Sequence, residues 1–315
     1  MKKLVEQLRP PEPIKGFIDG HEEWAQMRAR QLGIAAKYVT TQALLHLPYY
    51  DREDIVSEQS NVLNELDVKI LNLGESYSTV YDRLYVATDL SLLSTEANLK
   101  GKSKLNAHDG SSILPIRFGE VPDYVADEVG NRLHYIRSAR HDSVANYGLY
   151  VDGVETPYAS ASFSRCKRGY QIDALNQITG LALEPRQIFS MTRAFSFNGA
   201  PKNSMSKLFQ QTHKHIKQDF PEVKAIITAL NPYTGFDGSI FMGSSYTPYA
   251  LSPMEYWYNE EGYYVPRSKG VQIQRTDTPP IIWMAHGIDK GTARRIEQIP
   301  INNIKTITLD EYKKG

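Results

Sequence analysis

Residues 187–251 constrain the fold more than any other stretch of the chain. Residues 187–197 alternate loosely between apolar and polar side chains and stop at Asn198-Gly199, which predicts a half-buried strand and a turn. Residues 223–230 form a continuous apolar run, as expected for a strand buried on both faces. Between them lie apolar positions with the spacing of one helix face: Met205, Leu208, Phe209, Thr212 and Ile216. The pattern predicts parallel strands joined by a right-handed helical crossover.

The turn before this helix is a candidate site for an anion. It contains Gly199, Ala200, Lys202, Asn203 and Ser204, the last two of which are suited to capping the helix. A helix start directs unpaired N–H groups and the positive end of its dipole at whatever lies in front of it. The turn can therefore hold a pyrophosphate group, although turns of this composition also occur without a ligand.

Three motifs in this region resemble one known protein family. They are Arg193, the run Pro201-Lys202-Asn203-Ser204-Met205-Ser206, and the run Asn231-Pro232-Tyr233-Thr234-Gly235-Phe236-Asp237-Gly238-Ser239-Ile240-Phe241. Together they resemble the Mom family of phage proteins, which modify adenine bases in DNA so that host restriction enzymes cannot cut. Proteins of that family have the GNAT fold, the fold of acetyl-CoA-dependent N-acyltransferases. The resemblance covers residues 130–265, and Asn231 and Phe241 stand where the family carries Asp and Tyr.

The resemblance implies a fold class, an activity and a donor. The fold is α/β (α+β), with a GNAT-like mixed, mostly antiparallel sheet and flanking helices. The activity is transfer to an amine, with adenine in DNA as the preferred acceptor and acetyl-CoA or another acyl-CoA-like donor. The donor is expected to bind at residues 199–204, and no metal ligand is expected. The implied catalytic residues are Arg193, Ser206, Asn231, Asp237 and Tyr135.

Two other functions remain compatible with the same residues. An ordinary acyl-CoA-dependent N-acyltransferase would act on an amine of a small molecule or a protein. A degenerate module would bind nucleic acid or protein without chemistry, because Asn231 lacks the charge of Asp and Phe241 lacks the hydroxyl of Tyr. Asp237 is the one acid in the second motif, but an Asp in a glycine-flanked turn also caps backbone amides.

The chain is predicted to contain three regions. Residues 1–112 are an α-rich extension with helices at 22–37 and 40–47 and a strand at 68–73, and residues 78–93 fit either a helix or a strand. Residues 113–270 are the GNAT-like core, which includes a hairpin around Asp152-Gly153. Residues 271–315 are a basic tail with β character. The polar loop at 100–112 marks the first boundary.

Residues 246–295 suggest contact with DNA. Aromatic residues cluster there and basic residues follow closely, namely Tyr246, Tyr249, Tyr256, Trp257, Tyr258, Tyr263, Tyr264, Arg267, Lys269, Arg275, Lys290, Arg294 and Arg295. Bases stack on aromatic side chains and basic side chains follow the phosphates, so the cluster fits a nucleic-acid platform. Charged residues of a solvated edge hairpin would give the same composition.

Composition limits the class of protein and its compartment. The chain has 36 basic and 36 acidic residues, so binding to DNA would depend on a local patch. Cys166 is the single cysteine, which excludes an intrachain disulfide and fits a reducing cytoplasm, in a phage-infected or bacterial host. No run approaches the roughly 20 apolar residues of a membrane span, so no membrane partner is expected.

Overall fold

The computed structural model describes residues 1–94, 97–102, 104–107, 109 and 113–314. Before the first strand, the described residues form an N-terminal group of α-helices: α1 (Lys2–Gln7), α2 (Glu12–Gly20), α3 (Glu22–Leu32), α4 (Ala36–His46), α5 (Arg52–Ser57) and α6 (Gln59–Val86). Gly33 ends α3 with a φ of 66°, a backbone conformation that glycine adopts without strain. The α-rich character predicted for this region is confirmed.

A mixed sheet follows these helices. In the described residues its nine strands are β1 (Lys104–Asn106), β2 (Ile113–Glu120), β3 (Ser143–Val151), β4 (Ala159–Arg165), β5 (Ile188–Ser196), β6 (Ala225–Leu230), β7 (Thr247–Ser252), β8 (Ile281–Gly287) and β9 (Lys305–Thr306). Their order across the sheet is β1-β2-β3-β4-β5-β6-β8-β7-β9. All neighbours are antiparallel except β5–β6 and β7–β9. The predicted mixed, mostly antiparallel sheet is confirmed, as is the hairpin around Asp152-Gly153.

Further helices flank the sheet: α7 (Asp123–Glu128), α8 (Gly169–Thr179), α9 (Ser204–Asp219), α10 (Ser239–Met242), α11 (Lys290–Glu297) and α12 (Leu309–Lys314). Helix α9 connects the parallel strands β5 and β6, as the sequence predicts. Leu208, Phe209, Thr212 and Ile216 form its buried face, while Met205 is half-buried. The predicted boundaries at residues 112 and 270 stay predictions.

The two faces of the sheet carry separate hydrophobic cores. Along β6, Ala225 and Ile227 belong to the core beneath α8 and α11, whereas Ile226 belongs to the core beneath α6 and α9. Strand β8 alternates in the same way. Successive side chains of a strand point to opposite faces, so the continuous apolar run of β6 is explained by burial on both sides.

A third core joins the N-terminal helices to the loops beyond β6 and β7. Phe17, Leu44 and Leu66 from the helices pack in one cluster with Tyr233 and Tyr256 from those loops. The hydroxyl of Tyr258 donates to the carbonyl of Leu45 at 3.0 Å, which pairs a buried polar group across the same junction. The N-terminal helices are therefore part of the structure around the ends of β6 and β7.

The strand predicted at residues 68–73 is wrong, because these residues lie inside the 28-residue helix α6. Its buried positions include Leu66, Ile70, Tyr77 and Leu84, which recur at helical spacing. Val68 is 58% exposed and Ile70 is fully buried, although a strand would place both on one face. A six-residue window was too short to show the helical period.

The helical assignment predicts opposite outcomes for two neighbouring substitutions. Ile70→Ala should lower the free energy of unfolding by about 2–5 kcal/mol, because it leaves a cavity in the core. Val68→Ala should change it by less than about 0.5 kcal/mol, because the side chain is exposed. Urea denaturation of both variants measures the difference, and equal losses would contradict the helix.

Candidate active site

Strands β5 and β6 separate shortly after they begin. Their parallel pairing covers only Ile188 with Ala225, Phe189 with Ile226 and Ser190 with Ile227. Beyond these pairs, the Thr228 hydroxyl donates to the Met191 carbonyl at 3.0 Å, which is a side-chain link in place of a ladder bond. In the part of the chain that the structure describes, the rest of β5 pairs only with β4, so β5 and β6 diverge beyond Ser190 and Ile227. We call this divergence the opening between β5 and β6.

A bulge in β5 lies where the strands separate. Ser162 of β4 pairs with Arg193, and the next residue, Phe163, pairs with Met191, so Thr192 is the extra residue. The Thr192 hydroxyl donates to the Ser162 carbonyl at 3.2 Å. A bulge bends its strand and changes the direction of the following side chains. The bend thus turns the second half of β5 away from β6 at Arg193.

Arg193 is held at the opening by main-chain carbonyls. Its Nε donates to the Ser138 carbonyl at 2.7 Å, and its Nη1 donates to the Thr192 carbonyl at 2.6 Å. Nη2 has no acceptor among the described residues. Burial lowers the pKa of Arg193 to about 10, so the guanidinium is still charged near neutral pH. Arg193 is therefore a positioned cation whose Nη2 is available to donate a hydrogen bond.

Tyr135 and Tyr264 lie near this cation, and Tyr256 lies next to Tyr264. Burial raises the pKa of Tyr135, while the charge of Arg193 opposes that shift. Burial also raises the pKa of Tyr256 and of Tyr264, whose ring centroids lie 5.8 Å apart. All three hydroxyls stay protonated near neutral pH, so they can donate hydrogen bonds but carry no charge to balance Arg193.

The two histidines near these tyrosines are neutral. Burial, assisted by the charge of Arg193, lowers the pKa of His134 well below its usual range. Burial lowers the pKa of His46 to about 4. The Nδ1 of His46 donates to the Gln42 carbonyl at 2.7 Å, and its Nε2 accepts from the Tyr264 amide at 3.1 Å. His46 thereby links helix α4 to the tyrosines of the opening.

Asn231 joins this group through Tyr256. Its Nδ2 lies 3.1 Å from the Tyr256 hydroxyl, and the Asn231 side chain is buried. The structure therefore brings together three of the residues implied by the family resemblance, Arg193, Tyr135 and Asn231. Asp237 is elsewhere: it is exposed, and its Oδ1 accepts from the Ser239 amide at the start of α10. That amide lowers the pKa of Asp237.

The turn at residues 199–204 is partly covered by the chain itself. The Lys202 amide donates to the Ala97 carbonyl, and the Lys202 carbonyl accepts from the Leu99 amide, both at 2.9 Å. The Ser204 hydroxyl is buried and donates to the Pro201 carbonyl at 2.6 Å. These groups are not free to contact a donor.

Helix α6 covers the other side of this turn. Its tyrosines Tyr77, Tyr81 and Tyr85 stack in succession, with ring centroids 5.4 and 5.8 Å apart. The Tyr81 hydroxyl accepts from the Asn198 amide at 2.9 Å. A side chain on Gly199, whose φ is 88°, would lie about 3.3 Å from the Tyr85 hydroxyl. Sequence patterns do not indicate this contact, because Tyr81 lies more than 100 residues before the turn.

The start of α9 is the part of the turn that remains open. Among the described residues, the amides of Met205 and Ser206 have no backbone acceptor, as expected for the first turn of a helix. The Lys202 and Asn203 side chains are exposed, and Asn203 Nδ2 donates to Asn98 Oδ1 at 2.8 Å.

Ser206, in the first turn of α9, is half-buried and lies near Gly243 at the end of α10. These amides and Lys202 fit a phosphate group, and Gly199, Ala200 and Ser204 shape the turn. A donor-binding role for the turn stays a prediction.

The predicted base-stacking platform is wrong for four of its tyrosines, because they are buried. Tyr246, Tyr249, Tyr256 and Tyr258 lie in the core and cannot stack on a base. The six basic residues at 267–295 are exposed, and the Arg267 guanidinium lies 5.3 Å from the centroid of the half-buried Trp257 ring. Contact with DNA through the basic residues stays a prediction.

Two surface depressions are lined by residues of the N-terminal helices and the turn after α3. One, of about 300 Å³, is lined by residues such as Ile18, Trp24 and Thr40, and the other, of about 450 Å³, by residues such as Arg30 and Ile34. Neither includes a side chain of the opening between β5 and β6. In the described part of the chain, no cluster of three potential metal ligands occurs, and no helix is long and apolar enough to cross a membrane.

Comparison with known proteins shows a partial structural similarity. No known sequence family and no curated protein matches the chain. Aminoglycoside acetyltransferase AAC(6')-Ib in complex with coenzyme A and kanamycin is 12% identical, with a TM-score of 0.36 over 57% of this chain and 98% of its own. YncA, a putative acetyltransferase from Salmonella typhimurium with its cofactor acetyl-CoA, is 12% identical, with a TM-score of 0.36 over 56% and 95%. A putative phosphinothricin N-acetyltransferase is 9% identical, with a TM-score of 0.33 over 56% and 99%.

The buried, neutral state of His46 predicts a loss of stability at acid pH. Its pKa is about 4 in the folded chain and about 6.5 when unfolded, so the unfolded state binds a proton first as the pH falls. The stabilisation present above pH 6.5 should therefore decrease by about 2 kcal/mol between pH 7 and pH 5. In His46→Gln this part of the pH dependence should disappear, as urea denaturation at both pH values can measure. Parallel pH profiles for the two proteins would contradict the neutral, buried state.

Proposed function

We propose that the chain is a GNAT-type transferase that moves an acyl-like group from a coenzyme A thioester to an amine. The observation that carries the proposal is the opening between β5 and β6, with the fixed cation Arg193 at the bulge and the open start of α9 after β5. A transferase needs an anchored donor, a positioned amine and a hydrogen-bond donor for the oxyanion. The described residues offer candidates for each requirement.

Different residues of the chain are suited to binding the donor, stabilising the oxyanion and transferring the proton. The Met205 and Ser206 amides and the Lys202 side chain are suited to the pyrophosphate of the donor. Backbone N–H groups of β5 beyond the bulge, or Nη2 of Arg193, are suited to the developing oxyanion. In the reaction the amine nitrogen bonds to the carbonyl carbon and the C–S bond breaks, while the proton lost by the amine ends on the sulfur. A neutral tyrosine such as Tyr135 is suited to pass that proton.

The preferred acceptor is the exocyclic amine of adenine in DNA. The motifs around Arg193, Ser206 and Asn231 support it through their resemblance to the Mom family. The exposed basic residues at 267–295 offer contacts for the phosphate backbone. The exocyclic amine of adenine is a weak nucleophile, so this acceptor would need a more activated donor than acetyl-CoA.

The proposed acceptor can be tested by analysing the nucleosides in DNA from cells that express the protein. Wild type should add mass to deoxyadenosine, and Arg193→Ala should reduce the modified fraction by about 100-fold or more, because it removes a positioned cation. Arg186→Ala is the matched control, since Arg186 is an exposed arginine whose one ion pair among the residues that the structure describes is with Glu184. Mass spectrometry of digested DNA gives the readout.

Other outcomes of that experiment select a different function. Unmodified DNA together with acetyl-CoA turnover on a small-molecule or protein amine would select an ordinary N-acyltransferase. Unmodified DNA without turnover of any acyl-CoA would select a binding module, in agreement with the loss of charge at Asn231.

Lys202 tests the donor site separately. Lys202→Ala should weaken the binding of acetyl-CoA by about 3- to 10-fold at low salt, because an exposed lysine contributes a modest, screened attraction to phosphate. Lys217→Ala, at the other end of α9, should leave the affinity unchanged. Isothermal titration calorimetry measures both, and equal affinities for the two variants would place the donor elsewhere.

A further inference from the structure

Three buried polar atoms near the opening lack a hydrogen-bond partner in the part of the chain that the structure describes. They are Gln42 Oε1, Asn231 Oδ1 and the Tyr233 hydroxyl. Gln42 is 1% exposed, Asn231 is 6% exposed and Tyr233 is fully buried. An unpaired buried polar group destabilises the fold, so such groups are expected to have a partner in the working state of a protein.

These atoms lie where helix α4 meets the loop after β6. The Thr41 hydroxyl donates to the Thr234 carbonyl at 3.3 Å, which ties the helix to the loop. Gln42, the next residue, donates through Nε2 to the Tyr135 carbonyl at 3.1 Å. Thr234 in turn donates through its hydroxyl to the Asn231 carbonyl at 2.9 Å. Gln42 and Asn231 therefore border the same junction.

The orientation of the Gln42 amide follows from its partner. A backbone carbonyl only accepts hydrogen bonds, so the atom that faces Tyr135 must be the NH₂ group. Gln42 Oε1 is consequently a free acceptor. Asn231 faces the Tyr256 hydroxyl, which both donates and accepts, so one end of this amide is likewise unpaired.

The surroundings favour an uncharged partner. Arg193 is a cation, and the carboxylate that acts on it, Asp142, is already paired with Arg140 at 2.9 Å and Lys167 at 3.0 Å. The nearby tyrosines and histidines are neutral. Lys37 Nζ lies 4.7 Å from the centroid of the Phe236 ring, and its charge already acts on the neighbouring carboxylate of Asp237. An ammonium ion would therefore lose its hydration beside cations whose nearby carboxylates are already engaged. A neutral N–H group would satisfy Gln42 Oε1 at no such cost.

We propose that Gln42 accepts a hydrogen bond from the acceptor substrate and selects an unprotonated, planar amine, such as the exocyclic amine of a nucleobase, over an alkylammonium ion. This inference rests on the proposed function and deepens it, because it assigns part of the acceptor site to the N-terminal helices. Tyr135, whose carbonyl bonds Gln42, and Phe236, two residues after Thr234, are half-buried, and their ring centroids lie 5.1 Å apart.

The selection also suits the residues available for proton transfer. An alkylammonium ion must lose a proton before it can attack a carbonyl, and this requires a base. Asn231 has no charge, and the buried His134 is a weak base. A planar aromatic amine is neutral near pH 7, so the site can position it without deprotonating it first.

Binding of small probes tests the proposal with the full-length chain. The probes are 9-methyladenine, its N6,N6-dimethyl analogue, which lacks the N–H groups, and n-butylammonium. Wild type should bind 9-methyladenine about 10-fold or more tightly than the other two, as expected for one buried hydrogen bond. Gln42→Met should abolish this preference. Gln26→Met, which changes an exposed glutamine on α3, should retain it.

A second variant keeps the test informative if Gln42→Met fails to fold. Asn231→Asp adds a carboxylate that the Tyr256 hydroxyl can bond, and it should shift the preference towards n-butylammonium by about 10-fold. The proposal is overturned if wild type binds no 9-methyladenine, if it binds n-butylammonium equally well, or if Gln42→Met retains the preference.

A parallel titration with acetyl-CoA separates this inference from the proposed function. Wild-type and Gln42→Met proteins should bind acetyl-CoA with equal affinity, because Gln42 lies at the acceptor junction. Intact acetyl-CoA binding together with a Gln42-independent amine preference would overturn the inference alone. Failure of wild type to bind any acyl-CoA, with the adenine preference intact, would overturn the transferase and leave Gln42 as part of a nucleobase-binding site.

Discussion

The site depends on the early separation of two parallel strands. Parallel pairing of β5 and β6 stops after three residue pairs, and the bulge at Thr192 turns β5 away from its neighbour. If pairing continued, the backbone N–H and C=O groups beyond Met191 would be satisfied by the ladder and the opening would be closed. The separation leaves these groups available and gives Arg193 room to reach the Ser138 carbonyl. The bulge and the early end of parallel pairing thus occur at the same place in the sheet as Arg193.

The N-terminal helices complete this site. Helix α4 carries His46, which bonds the Tyr264 amide, and Gln42, which bonds the Tyr135 carbonyl. Helix α6 carries the tyrosines that cover the turn before α9. The charge balance also depends on this packing, because burial favours the neutral forms of His46 and of the tyrosines near Arg193. The resulting environment is buried and contains the positive charge of Arg193, which disfavours an ammonium ion more than a neutral N–H group.

The sequence predicted the central elements well because their signals are local. The apolar run of β6, the helical spacing of α9 and the turn at Asn198-Gly199 each depend on neighbours within one element, and all three occur as predicted. The predicted strand at 68–73 failed because its six residues show no period by themselves, whereas the full α6 does. The proximity of Arg193, Tyr135 and Asn231 was implied by the family resemblance. Gln42 was missed because its role depends on a contact with Tyr135, 93 residues further along the chain.

The tyrosines of α6 contact both α4 and the turn before α9. Tyr77 packs against Tyr38 of α4 with ring centroids 4.0 Å apart and stacks on Tyr81, whose hydroxyl accepts from the Asn198 amide. One continuous helix therefore fixes the span between α4, which borders the junction at Gln42, and the turn that begins α9. Moving α4 away from the turn before α9 would therefore have to displace α6 or break its contacts with Tyr38 or Asn198.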